Sequence, residues 1–303
     1  MLRTAPLVLL LASAAAAQDE PLLLDLHLEM SEATGQSLAT GDLDLDGRLD
    51  LVMEHAGALR PLAGRGDGSF VLDESLDLPG LNQVGATRDL AVADVDGDGL
   101  PDVLASGGPS IDVLTGSGDF TFSPAFGAIG ALGDTAQLVV LDLDGDDAPD
   151  VAAGNMADVR VTVHLNDGAG AFLPDAEYGP VPQGFVVAAG DWDLDGDPDL
   201  VFGELDADGL DLLFNDGAGG FGAPVPIVIA APVASVTAGD LDADGDSDLV
   251  ACTGEVRILA GNSQGSFSPA GSLVQGVGAA CVAVSDMDAV SYTHLTLPTI
   301  LRV

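Results

Sequence analysis

The chain has 303 residues, 47% of them hydrophobic, and carries 49 acidic against 8 basic side chains for a net charge of −41. That length supports a substantial core and one large or two ordinary domains. The charge excludes nucleic acid and anionic membrane as partners, because both need a basic surface.

Residues 1–17 read as a Sec-type signal peptide. Arg3 supplies the charged n-region, Pro6 to Ala12 the short apolar h-region, and Ala15-Ala16-Ala17 an A-x-A cleavage site before Gln18. The mature protein is therefore expected to be secreted, in the extracellular space or at the cell surface. No transmembrane segment is expected, since no later apolar run reaches the ~18–20 residues needed to span a bilayer. The longest, Phe221 to Val236, is broken by Pro224, Pro226 and Pro232. Residues 18–35 form a lead-in. Within it Pro21 to Met30 alternates Leu22, Leu24, Leu26 and Leu28 with Asp25 and Glu29, the pattern of an outer strand that would cover an open sheet edge.

From residue 36 the chain repeats. Asp42, Asp44, Asp46, Gly47 and Asp50 form the first copy of D-x-D-x-D-G-x-x-D. Asp94, Asp96, Asp98, Gly99 and Asp102 form the second, and Asp142, Asp144, Asp146 and Asp150 the third, with Asp147 in place of Gly. Asp191, Asp193, Asp195, Gly196, Asp197 and Asp199 form the fourth, and Asp240, Asp242, Asp244, Gly245, Asp246 and Asp248 the fifth. Alternating carboxylates repel one another unless a cation sits among them, and all-oxygen donors suit a hard ion such as calcium. Positions 1, 3 and 5 would supply side chains and position 9 a carboxylate. Position 7 would supply a main-chain carbonyl, from Arg48, Leu100, Ala148, Asp197 or Asp246. Glycine at position 6 permits the sharp turn. Five structural Ca²⁺ sites are expected. An EF-hand would need an acid at position 12, where Met53, Ala105, Ala153, Phe202 and Ala251 stand instead.

A second landmark keeps the same phase. Segments ending in Phe70, Phe122, Phe172, Phe221 and Phe267 each carry a Gly/Asn/Asp-rich cluster between apolar runs, the mark of a tight hairpin turn. Each unit reads strand, loop, strand, short turn, strand, Gly-rich turn, strand. In the fourth unit the strands are Gly184–Ala189, Leu200–Phe202, Gly209–Phe214 and Phe221–Ile229. Four short strands per repeat define a blade, so the fold class is an all-β propeller. The blades span 36–79, 86–128, 134–178, 184–229 and 233–274, with a partial sixth over 279–289. The sixth copy begins at Asp286 and Asp288 and then fails at Val290 and Ser291. Residues 290–303 are read as a non-native or divergent tail on a truncated copy.

These units resemble the FG-GAP/VCBS repeats of integrin-α-like β-propellers. The resemblance rests on Gly190–Val201 with Phe214–Phe221 and on Gly239–Val250 with Leu259–Phe267, and extends over residues 36–288. It implies a calcium loop between the first two strands of each blade, partner binding on the opposite face, and six to eight blades, seven being expected for the intact protein. Asp147 and the aborted sixth loop depart from the family pattern.

Other features are weighed against simpler readings. Arg65-Gly66-Asp67 spells an adhesion tripeptide but occupies the same turn as Asn166-Asp167 and Asn215-Asp216, and turn chemistry accounts for it. Asp206, Asp208 and Asp211 are read as a solvated acidic turn, and Trp192 as packing on the blade flank in preference to stacking on a sugar. His27, His55 and His164 pair with no nucleophile motif, and His294 lies in the tail. Cys252 and Cys281 fall in apolar strands, as buried thiols or as a bridge. Two functional classes follow. The first is a non-catalytic calcium-stabilised module for binding or adhesion to an extracellular protein or polysaccharide. The second is the propeller of a secreted carbohydrate-active enzyme such as a polysaccharide lyase. The absence of Lys and the presence of only two Tyr weigh against the second, since a lyase needs groups to neutralise a uronate.

Overall fold

A computed structural model describes residues 37–55, 58–67, 69–72, 89–107, 110–124, 129–130, 135–155, 160–173, 176–178, 184–204, 209–233, 235–242, 244–279, 283–285 and 294–296. The expected signal peptide, the strand over 21–30, Asp206, Asp208, Cys281 and the aborted sixth loop lie outside them.

The described residues are all-β and build five blade sheets. Blade 1 contains β1 (Leu38–Gly41), β2 (Asp50–His55), β3 (Ala58–Gly64) and β4 (Phe70–Leu72). Blade 2 contains β5 (Asp89–Ala93), β6 (Asp102–Ser106), β7 (Ser110–Gly116) and β8 (Phe122–Pro124), with a short β9 (Ile129–Gly130) also paired to β7. Blade 3 contains β10 (Thr135–Leu141), β11 (Asp150–Asn155), β12 (Arg160–His164) and β13 (Ala176–Tyr178). Blade 4 contains β14 (Gly184–Gly190), β15 (Asp199–Glu204), β16 (Gly209–Leu213) and β17 (Val225–Val228). Blade 5 contains β18 (Ser235–Gly239), β19 (Asp248–Cys252), β20 (Gly254–Ala260) and β21 (Ser268–Ala279). In every blade the strands pair in chain order. Beyond blade 5, β22 (Ala283–Ser285) pairs with β23 (His294–Thr296).

The second strand of each blade explains the small residues beside the loops. β6, β11 and β19 are buried along their whole length, because each is flanked by strands and covered on both faces. Such strands read as continuous apolar runs, here Val-Leu-Ala, Val-Ala-Ala and Leu-Val-Ala. The outer strands β4, β8 and β13 are only three residues long, which limits the exposed edge.

The described residues fall into two compact units, 37–185 with 218–220 and 186–217 with 221–296. In the first unit the core lies between blades. Leu43, Val52, Leu59, Leu90, Val103 and Phe122 pack together between blades 1 and 2. Val95, Leu104, Ile111, Val151 and Ala153 pack between blades 2 and 3, with Phe172 against them. Fully burying one such aliphatic side chain contributes about 1.5–3 kcal/mol. Of the five repeated Phe residues, Phe122 is buried, whereas Phe70, Phe172, Phe221 and Phe267 are half-buried. In the second unit Trp192 is buried, its ring edge-on to Phe267 at 6.2 Å, so it is closed to sugar stacking. Asp211 lies inside β16, opposite Phe202 and Pro226, and belongs to no acidic turn. Cys252 is buried in β19. No helix among the described residues is long and apolar enough to cross a membrane.

Candidate functional site

Each acidic loop closes the turn between the first and second strand of its blade. Its ninth residue opens the second strand, paired with the last residue of the first: Gly41 with Asp50, Ala93 with Asp102, Leu141 with Asp150 and Gly239 with Asp248. Within the loops a fixed set of side-chain to main-chain hydrogen bonds recurs. The first Asp accepts from the N–H of position 6, with Gly47 to Asp42 at 2.9 Å, Gly99 to Asp94 at 2.8 Å, Asp147 to Asp142 at 2.9 Å, Gly196 to Asp191 at 3.2 Å and Gly245 to Asp240 at 3.0 Å. The fifth Asp accepts from the N–H of position 7, so Asp46, Asp98, Asp146, Asp195 and Asp244 cap Arg48, Leu100, Ala148, Asp197 and Asp246.

Positive φ is required at position 6. Gly47, Gly99, Gly196 and Gly245 have φ of 83°, 85°, 98° and 92°. A Cβ at any of them would meet nothing within 4 Å, so backbone conformation and not space selects glycine. Asp147 adopts φ 69° at the same position in the third loop.

Three carboxylates converge in each loop, with one oxygen from each within 4.8 Å of the others. They are Asp42, Asp44 and Asp50; Asp94, Asp96 and Asp102; Asp191, Asp193 and Asp199; and Asp240, Asp242 and Asp248. In the third loop they are Asp142, Asp144 and Asp146. Two oxygens bound to one Ca²⁺ at about 2.3–2.6 Å lie no more than roughly 5 Å apart, so these groups are the right size. Four of the five groups, those of the second to fifth loops, also leave a demand for positive charge. Asp94 Oδ1, Asp191 Oδ1, Asp240 Oδ1 and Asp144 Oδ1 are buried and accept no hydrogen bond. The donors are all carboxylate oxygens, which suits a hard cation and not zinc or a softer metal. The residues therefore fit a calcium ion.

Protonation follows the same logic. Burial raises Asp50, Asp102 and Asp150 above the ordinary carboxylate value, with loop neighbours adding to the effect. Burial, reinforced by Asp193 and Asp195, pushes Asp199 up to about 6. Asp144, Asp193 and Asp242 are raised too, by desolvation and by their neighbouring loop carboxylates. In each case a bound cation would act in the opposite direction.

The ninth Asp has a second role that the spacing of acids alone did not reveal. One oxygen accepts the N–H of position 2 of its own loop: Leu43 at 2.8 Å, Val95 at 2.9 Å, Leu143 at 2.7 Å, Trp192 at 3.0 Å and Leu241 at 2.9 Å. The other accepts the N–H that opens the Gly-rich turn of the same blade: Gly64 at 2.7 Å, Gly116 at 2.9 Å, Asn166 at 2.7 Å, Asn215 at 2.9 Å and Gly261 at 2.9 Å. This buried carboxylate clamps the loop to the far turn of its blade, and both its oxygens already serve the main chain. The signal was the near-constant 13–16 residue separation of the two landmarks.

The adhesion-like tripeptide is an exposed turn. Arg65 N–H donates to the Ser69 carbonyl at 3.0 Å, and Ser69 N–H to Asp67 at 2.9 Å. The Ser69 hydroxyl and N–H hold Asp67 below the usual carboxylate range.

Four-stranded antiparallel blades with an acidic loop between the first two strands define a β-propeller with one candidate cation loop per blade. The FG-GAP-like repeat profile matches four overlapping windows, residues 42–105, 94–153, 142–202 and 191–251. The chain belongs to the FG-GAP-like repeat family. A search of curated proteins finds no match. Among solved structures, a lectin of Agrocybe aegerita, reported for specific recognition of non-reducing terminal N-acetylglucosamine, is similar at 22% identity and a TM-score of 0.59. The alignment covers 86% of this chain and 70% of the lectin. A Tc holotoxin pore of Photorhabdus luminescens aligns at 18% identity and a TM-score of 0.49, over 88% of this chain and 13% of that one.

Proposed function

We propose that this chain is a secreted β-propeller whose loops each hold a calcium ion, and that it acts as a non-catalytic binding or adhesion module for an extracellular protein or glycan. The observation that carries the reading is repetition: three converging carboxylates recur in the same turn of successive blades, from positions 1, 3 and 9 in four loops and 1, 3 and 5 in the third. A reaction centre needs one constellation, whereas a staple is needed once per blade. The carboxylates at positions 1, 3, 5 and 9 and the carbonyl of Arg48, Leu100, Ala148, Asp197 or Asp246 would hold each ion. Bound calcium supplies charge that offsets repulsion within the loop. Five Ca²⁺ against the 23 Asp of the loops still leave a negative surplus, which disfavours an acidic polymer as partner.

The fold is one that a lectin uses, which makes a glycan the first ligand class to test. The experiment is a glycan array, including terminal N-acetylglucosamine, together with a pull-down of extracellular proteins, using the full chain in calcium and in chelator. Binding to a neutral glycan or a protein that disappears on chelation is expected. No ligand in either screen, or release of unsaturated products from a uronate polymer, would count against the module reading.

A further inference from the structure

Asn166 touches two neighbouring loops at once. Its main-chain N–H donates to Asp150 Oδ1 of its own blade at 2.7 Å, and its Nδ2 to the Pro149 carbonyl at 3.2 Å. The same Nδ2 donates to the Val95 carbonyl of blade 2 at 2.7 Å, 71 residues away. Val95 stands between Asp94 and Asp96, two converging carboxylates of the second loop, and its N–H donates to the third, Asp102, at 2.9 Å. A continuous hydrogen-bonded line therefore runs Asp150–Asn166–Val95–Asp102. All four are almost fully buried, with exposures of 0, 2, 1 and 0%.

The turn that Asn166 opens also sits against the second loop. A Cβ on Gly97 would meet the Gly168 carbonyl at 2.7 Å, and one on Gly170 would meet the Asp96 side chain at 3.2 Å. In the second unit the equivalent contact uses another donor: Gly265 N–H of blade 5 bonds the carbonyl of Trp192, position 2 of the fourth loop, at 2.8 Å.

The geometry points to Asn166 as a positioning residue that couples calcium binding at the second and third loops, so that an ion in one raises the affinity of the other. This rests on the calcium reading above. A metal held by Asp142, Asp144 and Asp146 orders the Leu143 peptide between the first two, whose N–H bonds Asp150 at 2.7 Å, and through Asp150 it fixes Asn166 and the Val95 peptide that carries the second loop's carboxylates. The second loop then loses less freedom on binding its own ion. The coupling is reciprocal, because it is a free energy shared by both sites.

The test follows amide hydrogen exchange of the segment 94–102 during a calcium titration of the full chain. Asp142→Asn with Asp144→Asn disables the third loop. With Asn166 in place, that double change should move the midpoint for protection of 94–102 to higher calcium by about fivefold or more. In an Asn166→Gly background it should move nothing. Glycine is the residue that blades 1, 2 and 5 carry at this position (Gly64, Gly116, Gly261), so the main-chain bond to Asp150 is retained. Asn166→Asp, which keeps the side-chain size but replaces the donor with an acceptor, should behave as Asn166→Gly does. An equal shift in both backgrounds, or none with Asn166 present, would overturn the coupling while leaving calcium binding intact. No calcium response at either loop would overturn the calcium reading and the coupling together.

Discussion

Asp199→Ala separates the two roles of the ninth carboxylate. Asp199 has no exposed surface and accepts two main-chain hydrogen bonds, from Trp192 at 3.0 Å and Asn215 at 2.9 Å. Alanine leaves both buried N–H groups without an acceptor, at about 1–3 kcal/mol each. Relief of charge burial and of repulsion from Asp193 and Asp195 offsets part of that loss in calcium-free protein. The net loss in excess chelator is expected at about 2–4 kcal/mol. Asp195→Ala is the control. Asp195 is exposed, and the main-chain hydrogen bond it accepts within the loop is from Asp197 N–H at 3.0 Å. That variant should lose under about 1 kcal/mol in chelator and show its larger deficit only in calcium. Urea unfolding read by fluorescence of Trp192, the chain's single tryptophan, whose main-chain N–H is one of the two donors, measures both. If the two variants unfold alike in chelator, the clamp does not exist and Asp199 is a ligand alone.

Three further outcomes follow. For calcium-free protein, Asp199 has a folded-state pKa of about 6 against an ordinary 3.8. A carboxyl raised on folding contributes stability that is fully present below ~3.8 and lost as pH rises through ~6. In chelator the protein should therefore be more stable at pH 4 than at pH 7. Asp199 would account for up to about 3 kcal/mol, roughly halved by solvent screening at the loop mouth, and Asp199→Asn should flatten the profile measured by urea midpoints. Asp147→Gly should stabilise the third blade by about 0.5–1 kcal/mol, because φ 69° is strained for Asp and free for Gly; a thermal melt in calcium checks the sign. Gly97→Ala should destabilise by roughly 1–3 kcal/mol in the same assay, through both its φ of 71° and the 2.7 Å approach of a new Cβ to the Gly168 carbonyl.

The repeat made most of the fold legible. Loop and strand positions could be phased against one another, and the fourth unit's first strand, expected over Gly184–Ala189, is β14 over Gly184–Gly190. The outer strand of that blade begins later than expected, at Val225, because Phe221 makes a lone bridge to Asn215 and the chain then runs unpaired through the exposed residues 222–224. The double duty of Asp50, Asp102, Asp150, Asp199 and Asp248 stayed hidden because a metal ligand and a main-chain clamp both call for Asp at the same place. The contact from Asn166 to Val95 was illegible for a different reason. It joins residues 71 apart in chain, in separate repeats, and neither residue type announces it. The third loop converges on Asp146 where the other four converge on their ninth residue, and its distinctive feature in sequence is Asp147 at the glycine position.

If the five acidic loops are calcium staples, thermal melts of the chain in calcium and in chelator must separate. With site affinities in the weak extracellular range, near 10⁻³ M, 10 mM calcium stabilises each occupied site by about 1.4 kcal/mol. Five sites then give about 7 kcal/mol, or a rise in Tm of roughly 10 °C or more for a chain of this size. That rise, reversed by chelator, is the predicted result. Superimposable melts with and without calcium would mean that the loops hold no stabilising ion.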